Sequence, residues 1–347
     1  SGVWIMAYTD IDKPSDYFTP HIWSGTNSNH TESIGMQPDF VWVKGRSVAT
    51  DHTLFDAVRG FAVGKSLNSN TTAAEDGSNT TAFGGISGVT SDGFTVTAGS
   101  SNADYVNTSG RTYASWNWKE TATAGFDIVS YSGNNSTNRQ ISHSLSAKPD
   151  MMLVKCRQAG LWKIYHSSLG ATKYLVLSDT AGVVDNNSTW NDTEPTSSNF
   201  TLGDDGNVNE TGETYINYLF AEKKGYSKFS SYIGNGAASD GTFSYTGFKP
   251  AFIILKSTGV NDWRIIDNKR SLSGGSNPID KYFYAQSSAA EGASSTNGVP
   301  DQIDFLSNGF KIRQASAGIN GSGQKYIYMA FAENPFVTSS GVPATAR

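Results

Sequence analysis

The side chains able to do chemistry in this 347-residue chain are few and badly spaced for it. The five histidines are His21, His30, His52, His143 and His166, and no two have the helical spacing of a metal-ligand pair. There is no Gly-x-Ser-x-Gly nucleophile elbow, and no pair of carboxylates is marked out by its spacing for general acid–base work. Gly60-Phe61-Ala62-Val63-Gly64-Lys65-Ser66 resembles a phosphate-binding loop, but three residues separate its glycines where the motif needs four. A missing residue moves the backbone amides that would cradle phosphate. Cys156 is the only cysteine, so an intrachain disulfide and a cysteine zinc cage are both excluded. It sits in an apolar run and reads as an inert buried thiol.

Two loops offer binding chemistry. Asp204-Asp205-Gly206-Asn207-Val208-Asn209-Glu210 presents oxygen ligands at alternating positions, as calcium favours, with Asp204, Asp205 and Asn207 as ligands. The same residues also make an ordinary Asp/Asn/Gly loop that needs no ion and leaves the chain without a cofactor. Asn187-Ser188-Thr189-Trp190-Asn191-Asp192-Thr193 places a flat ring beside an amide and a carboxylate. Trp190 could stack on a sugar while Asn191 and Asp192 take its hydroxyls. The competing reading folds Trp190 back over the edge of its own core.

What must position these loops is a repeat. Pro38-Asp39-Phe40-Val41-Trp42-Val43-Lys44 recurs as Pro149-Asp150-Met151-Met152-Leu153-Val154-Lys155 and Pro250-Ala251-Phe252-Ile253-Ile254-Leu255-Lys256. Each copy closes on a second run, ending in Trp118-Lys119-Glu120, Phe220-Ala221-Glu222 and Phe331-Ala332-Glu333. Lys65, Lys173 and Lys281 lie between them, each 108 residues from the next. That identical spacing explains Lys65 without a nucleotide. Leu54-Phe55-Asp56, Ile164-Tyr165-His166 and Ile265-Ile266-Asp267 correspond, so His166 stands where the other copies have aspartate and reads as a polar strand end. Copies one and three share an Ala-Ala-Glu ending at Glu75 and Glu291.

The recurrent runs are short, rich in β-branched and aromatic residues, and bounded by Gly, Asn, Asp, Ser and Pro. About six strands per copy, one face packed and one wet, predicts an all-β chain of three tandem homologous antiparallel β-sandwich modules. The boundaries fall at 1–122, with an N-terminal arm, 123–224, and 225–347, with a C-terminal tail. The joining stretches are short, so the modules should touch in a rigid array or a pseudo-symmetric cluster. Phe40, Trp42, Phe94, Leu153, Phe200, Phe252, Ile254 and Phe310 are the expected core. Net charge is −5 and no basic cluster occurs, which disfavours nucleic acid. No apolar run is long enough to insert in a membrane, and the first residues lack a signal segment. Met6-Ala7-Tyr8-Thr9 reads as a natural start, with the five residues before it upstream sequence.

Longer phrases carry a family likeness. Among them are His143-Ser144-Leu145-Ser146-Ala147-Lys148-Pro149-Asp150, Trp190-Asn191-Asp192-Thr193-Glu194-Pro195-Thr196 and Phe331-Ala332-Glu333-Asn334-Pro335-Phe336. With Ile11-Asp12-Lys13-Pro14-Ser15-Asp16-Tyr17-Phe18 they resemble a repeat family of virion structural and tail-fibre proteins from marine tailed bacteriophages, cyanophages among them. The resemblance covers nearly the whole chain and supplies no catalytic residues. It implies a non-enzymatic component of the virion exterior, on tail or capsid. A tail-fibre or appendage subunit touching the host surface is the first reading. A capsid decoration or fibre protein, or a spacer without a receptor, is the alternative. It also implies other virion proteins as partners, a homo-oligomer with a trimer favoured, and a host surface glycan as ligand.

Overall fold

The computed structural model describes residues 8–271, 277–293 and 303–343. It is predominantly β, built of antiparallel sheets, and among the described residues the helices are single turns such as Thr80–Phe83 and Asn187–Trp190. None is long and apolar enough to cross a membrane.

Each of the three stretches carrying the recurrent phrases contributes one large sheet. In the first, the order is Phe18–Ser24, Thr112–Trp118, Phe40–Gly45, Thr53–Asp56. The second runs Phe126–Ser132, Thr214–Phe220, Met151–Cys156, Lys163–His166, Lys173–Val176, Val184–Asp185. The third runs Ser227–Ile233, Lys325–Pro335, Phe248–Ser257, Trp263–Asp267, Lys281–Tyr284, Gly292–Ala293. Register also recurs: Phe40 faces Trp118, Met151 faces Phe220, and Phe252 faces Phe331. A smaller sheet accompanies each large one: His30–Ser33 with Gly93–Thr97 and Gly85–Thr90, Arg139–Ser142 with Asn199–Leu202, and Phe243–Tyr245 with Gly309–Ile312 and Ile303–Leu306. Lys173 and Lys281 begin strands as expected. Lys65 does not: only Leu67 bridges to Leu54, and the chain then turns away as the Asn68 amide donates to His52 O.

Successive side chains of a strand point to opposite faces. Val41 and Val43 join Phe55 and Phe94 between the first large sheet and its small partner. Met152 and Val154 do the same with Phe200, and Ile253 and Leu255 with Phe310. The expectation of a wet opposite face fails, because Phe40–Gly45 and Met151–Cys156 are buried at every position. Phe40, Trp42, Met151, Leu153, Phe252 and Ile254 all enter one further cluster shared by the three stretches. Runs without alternation are what strands buried on both faces look like. All eight expected core residues are buried, those of the shared cluster by contact with other stretches as well as with their own.

The shared cluster has an axis. Trp118, Phe220 and Phe331 hold the same place in the three sheets and touch pairwise, with ring centroids 6.1, 5.9 and 5.8 Å apart. Three equivalent residues in mutual contact require the sheets to be wrapped around them. The chain ends close the ring. Asp10 N donates to Lys224 O at 3.2 Å, and Ser339 N donates to Asp12 Oδ1 at 2.6 Å.

Because one core serves all three stretches, thermal unfolding is expected as a single calorimetric transition. Trp118→Ala is expected to remove roughly 3–5 kcal/mol, the usual cost of deleting a buried aromatic. Residues 123–224 expressed alone would leave Met151, Leu153, Tyr218 and Phe220 uncovered and are expected not to fold cooperatively. A sharp transition from that fragment would refute the shared core as the source of cooperativity.

Candidate functional site

The densest chemistry lies at the seams between the stretches, where three sets of contacts run in the same cyclic sense. In the first set, His52, Trp162 and Trp263 stand at matching positions, and so do their acceptors. His52 Nε2 donates to Tyr284 O at 3.1 Å, Trp162 Nε1 to Asn68 O at 2.7 Å, and Trp263 Nε1 to Val176 O at 2.8 Å. Trp42 Nε1 donates to His52 Nδ1 at 2.9 Å, so His52 is a neutral imidazole with its proton on Nε2. Burial, and then the charge of Lys44, keep it well below the ordinary histidine value.

The second set centres on the strand-end acids. Trp116 Nε1 donates to Asp267 Oδ2 at 2.9 Å, and the Tyr218 hydroxyl donates to Asp56 Oδ2 at 2.7 Å. Each aspartate is also held by an arginine three residues on: Arg59 Nε at 2.6 Å from Asp56 and Arg270 Nε at 2.6 Å from Asp267. The chain of charges continues outward. Arg59 and Arg157 meet Glu75, the latter through two bonds of 2.8 and 3.1 Å, while Arg270 and Arg46 meet Glu291. Fully hydrogen-bonded pairs of this kind offset their own desolvation. At the seam between the second and third stretches the partner of the acid position is Met329, which cannot donate. There the acid is His166, the arginine is Leu169 and the glutamate is Val183. His166 Nε2 donates instead to Tyr328 O at 3.1 Å while its Nδ1 accepts from Ser168 N, so it too is neutral; burial, against the bond to Tyr328 and with the charge of Lys325, brings its pKa down to about 4.

The third set is Lys44, Lys155 and Lys256, all at most 1 % exposed. Their ammonium groups bond only carbonyl oxygens among the described residues. Each reaches one across a seam: Lys44 to Ser288 O at 3.2 Å, Lys155 to Thr72 O at 3.5 Å, and Lys256 to Thr180 O at 3.3 Å. Burial pushes Lys44 down to about 7, and Lys155 and Lys256 to about 8.

The two loops singled out in the sequence are neighbours, as Asp205 N donates to Ser188 O at 2.9 Å, but neither is arranged for a ligand. Trp190 is 1 % exposed, packs edge-on against Tyr165 and donates Nε1 to Lys173 O at 3.1 Å. The ring expected as a sugar platform is therefore the lid of a core. A left-handed turn explains this inward path, with Asn191 at φ 52° and Asp192 at φ 48°. In the acidic loop, Asp205 caps the turn Gly206–Asn209. Its Oδ1 accepts from the backbone and side-chain nitrogens of Asn207, and its Oδ2 from Thr189 Oγ1 and Lys163 Nζ at 2.9 Å each. Asn207 Oδ1 accepts from Leu161 N at 2.8 Å, and Asp204 points to solvent. The oxygens of Asp205 and Asn207 that a calcium ion would use are already bonded by protein donors, and Asp204 is turned away from them. Burial alone would raise Asp205, but the Asn207 amide and Lys163 hold it below the usual carboxylate range.

One cluster is invisible in the sequence: Glu32 accepts from His21 Nε2 and His30 Nε2, each at 2.8 Å. Their pairing depends on the adjacency of strands Phe18–Ser24 and His30–Ser33 at one surface. Among the described residues no group of three His, Cys, Asp or Glu is placed to hold a metal. An open cleft of about 450 Å³, lined by Asp16, Tyr17, Met36, Gln37, Ser91 and Lys119, gathers no acid–base pair or nucleophile.

Two outcomes are expected. Trp190→Ala should lower the melting free energy by roughly 3–5 kcal/mol, as for other buried tryptophans; an unchanged melting temperature would show the ring to be dispensable to the core. For the lysines, folded values near 7–8 lie below the unfolded 10.5. Between those limits the unfolded chain holds protons that the folded one sheds, so stability should rise with pH from about 7 to about 10.5. Lys155→Met should flatten that slope in melting curves taken across the window.

No curated protein matches the chain. A family model does match, over residues 13–335, and its description is a domain of unknown function, DUF7483. The match runs unbroken through all three stretches and both joins between them, so the chain belongs to the DUF7483 family.

Proposed function

We propose that this chain is a structural protein of a bacteriophage particle, a non-enzymatic subunit of an exterior tail fibre or appendage. It is read as three tandem homologous antiparallel β-sandwich modules in one polypeptide. The observation that carries the reading is the shared aromatic core: corresponding residues of three repeats, in matched register, meet around one axis. Chemistry at the seams supports the same view. The buried histidines are neutral, the buried acids are bonded to Arg, Trp and Tyr, and these groups serve cohesion. A trimeric fibre obtains threefold packing from three chains; here three repeats of one chain supply it. Association with further copies, and with other virion proteins, then falls to the outer surfaces.

Contact with a host glycan is kept in this proposal, at a different place from Trp190. Phe243 and Tyr245 stand two residues apart on one face of strand Phe243–Tyr245, 43 % and 51 % exposed. By register with Phe310 they replace Thr31 and Ser33 of the first stretch and Gln140 and Ser142 of the second. Two rings side by side on an accessible strand suit stacking against sugar C–H bonds, worth about 1 kcal/mol per ring. Antibodies against the chain should label the exterior of intact particles of the phage that encodes it; their failure to do so would refute the virion-surface reading. The double variant Phe243→Ala, Tyr245→Ala should reduce adsorption to host cells at unchanged melting temperature. Undiminished adsorption would favour a spacer or capsid decoration role.

A further inference from the structure

Each repeat ends in a glutamate two residues beyond its axial ring: Glu120, Glu222 and Glu333. Two of them are held by lysine. Lys228 Nζ lies 2.7 Å from Glu222, and Lys249 Nζ lies 2.8 Å from Glu333. The place of Lys228 is fixed by register, since it faces Ala330 as Asp127 faces Leu219, the matching residue one repeat earlier. Glu120 therefore meets an acid where Glu222 meets a base.

The two carboxyl groups are close enough to share a single donor. Ile128 N–H lies 3.2 Å from Glu120 Oε1 and 3.0 Å from Asp127 Oδ1. Asp127 is 4 % exposed, and its other oxygen accepts from Ser144 N at 2.5 Å. Lys223 lays its side chain against Gly125 of the same turn, but no ion pair joins a cation to Glu120 or Asp127 among the described residues. From the strand that follows it, Asp39 adds a third carboxylate, whose Oδ2 accepts from Glu120 N at 2.7 Å. Lys119, on the connector itself, is exposed and acts on Asp39. His143, from the second stretch, feels Asp127, but burial lowers its pKa and opposes its becoming the missing cation.

We propose that a proton held on Glu120 and hydrogen-bonded to Asp127 latches the joint between the first and second stretches. Two carboxylates at this separation cannot both ionise without strong repulsion. Once the proton leaves, two buried like charges hold one amide hydrogen between them, at the turn where Phe126 pairs back onto Thr121. The joint between the second and third stretches, closed by Glu222–Lys228, carries no such dependence. The electrostatics agree: burial, then the hydrogen bond with Asp127, pushes Glu120 up to about 7. A carboxyl raised in the folded state contributes stability that is complete below its unfolded value, near 4.5, and is lost as pH rises through about 7.

Amide hydrogen exchange on the intact chain tests this, with rates corrected for the intrinsic effect of pH. Between pH 5.5 and 8.0, protection across residues 119–128 should fall roughly thirtyfold, about a decade per unit up to about pH 7 and level above it. Protection across the Glu222–Lys228 joint should hold steady. Glu120→Gln keeps a neutral donor in place and should abolish the fall. Asp127→Lys rebuilds the pairing of the next joint and should do likewise, which keeps the test valid if either variant folds poorly. Equal wild-type protection at the two pH values would overturn the latch, as would a Glu120→Gln protein that loosens as the wild type does.

Discussion

Everything in this molecule hangs on the contact of Trp118, Phe220 and Phe331. For three aromatic rings at matching strand positions to touch, three sheets must turn their flat faces toward one line. Those faces must then be apolar along their length, which is why Trp42, Leu153, Ile254, Trp116, Tyr218 and Met329 follow one another down the same cluster. The arrangement also dictates where polar groups can survive. Away from the axis each sheet overlaps the next, and the overlap is bonded by indole, phenol and imidazole donors reaching carbonyls or carboxylates of the neighbouring stretch. A buried donor left without an acceptor would cost a few kcal/mol; Trp118 Nε1 bears such a cost at the axis, whereas substitutions at the seam are answered by changes in their partners.

The seam between the second and third stretches makes that reciprocity explicit. Met329 removes a hydrogen-bond donor. An aspartate opposite it would be a buried charge with too few partners, and the chain carries neutral His166 there instead. With no carboxylate present, an arginine would be equally stranded, and Leu169 replaces it. The outer glutamate then has nothing to bond and becomes Val183, whose amide still donates to Thr258 O at 2.9 Å. One ionic chain is thus exchanged as a unit for an apolar contact, while the backbone bond common to all three seams is kept.

The chain's polar chemistry is accordingly inward-looking. His52 and His166 are locked in single tautomers by donors on one side and carbonyls on the other. Lys44, Lys155 and Lys256 sit on carbonyl oxygens, where an ammonium is less costly than in a dry core but still short of a counter-charge. Asp205, which looked in the sequence like part of an ion site, is fully occupied by its own turn and by Lys163. Groups engaged in this way are bonded within the protein, while Phe243 and Tyr245 stand exposed outside these networks.

Much of this was legible in the order of residues. Recurrence of the apolar runs that follow Pro38, Pro149 and Pro250 marked the strands, their correspondence and the buried status of Phe40, Trp42, Leu153, Phe252 and Ile254, because strand propensity and burial are local properties of apolar runs. Correspondence of Asp56, His166 and Asp267 likewise marked a shared position. What those positions contact is not local. Nothing in the spacing says that Tyr218 bonds Asp56 rather than its own repeat's His166, or that both faces of a central strand are covered. Trp190 was ambiguous for the same reason: a tryptophan beside Asn and Asp is compatible with a platform or a lid, and only the left-handed turn at Asn191 and Asp192 turns it inward. The sequence decided that the chain is built of β structure and that its strand phrases recur; the tertiary structure decided that the sheets share one core, since a sheet's second face is claimed by whatever packs against it and not by the residues beside it in the chain.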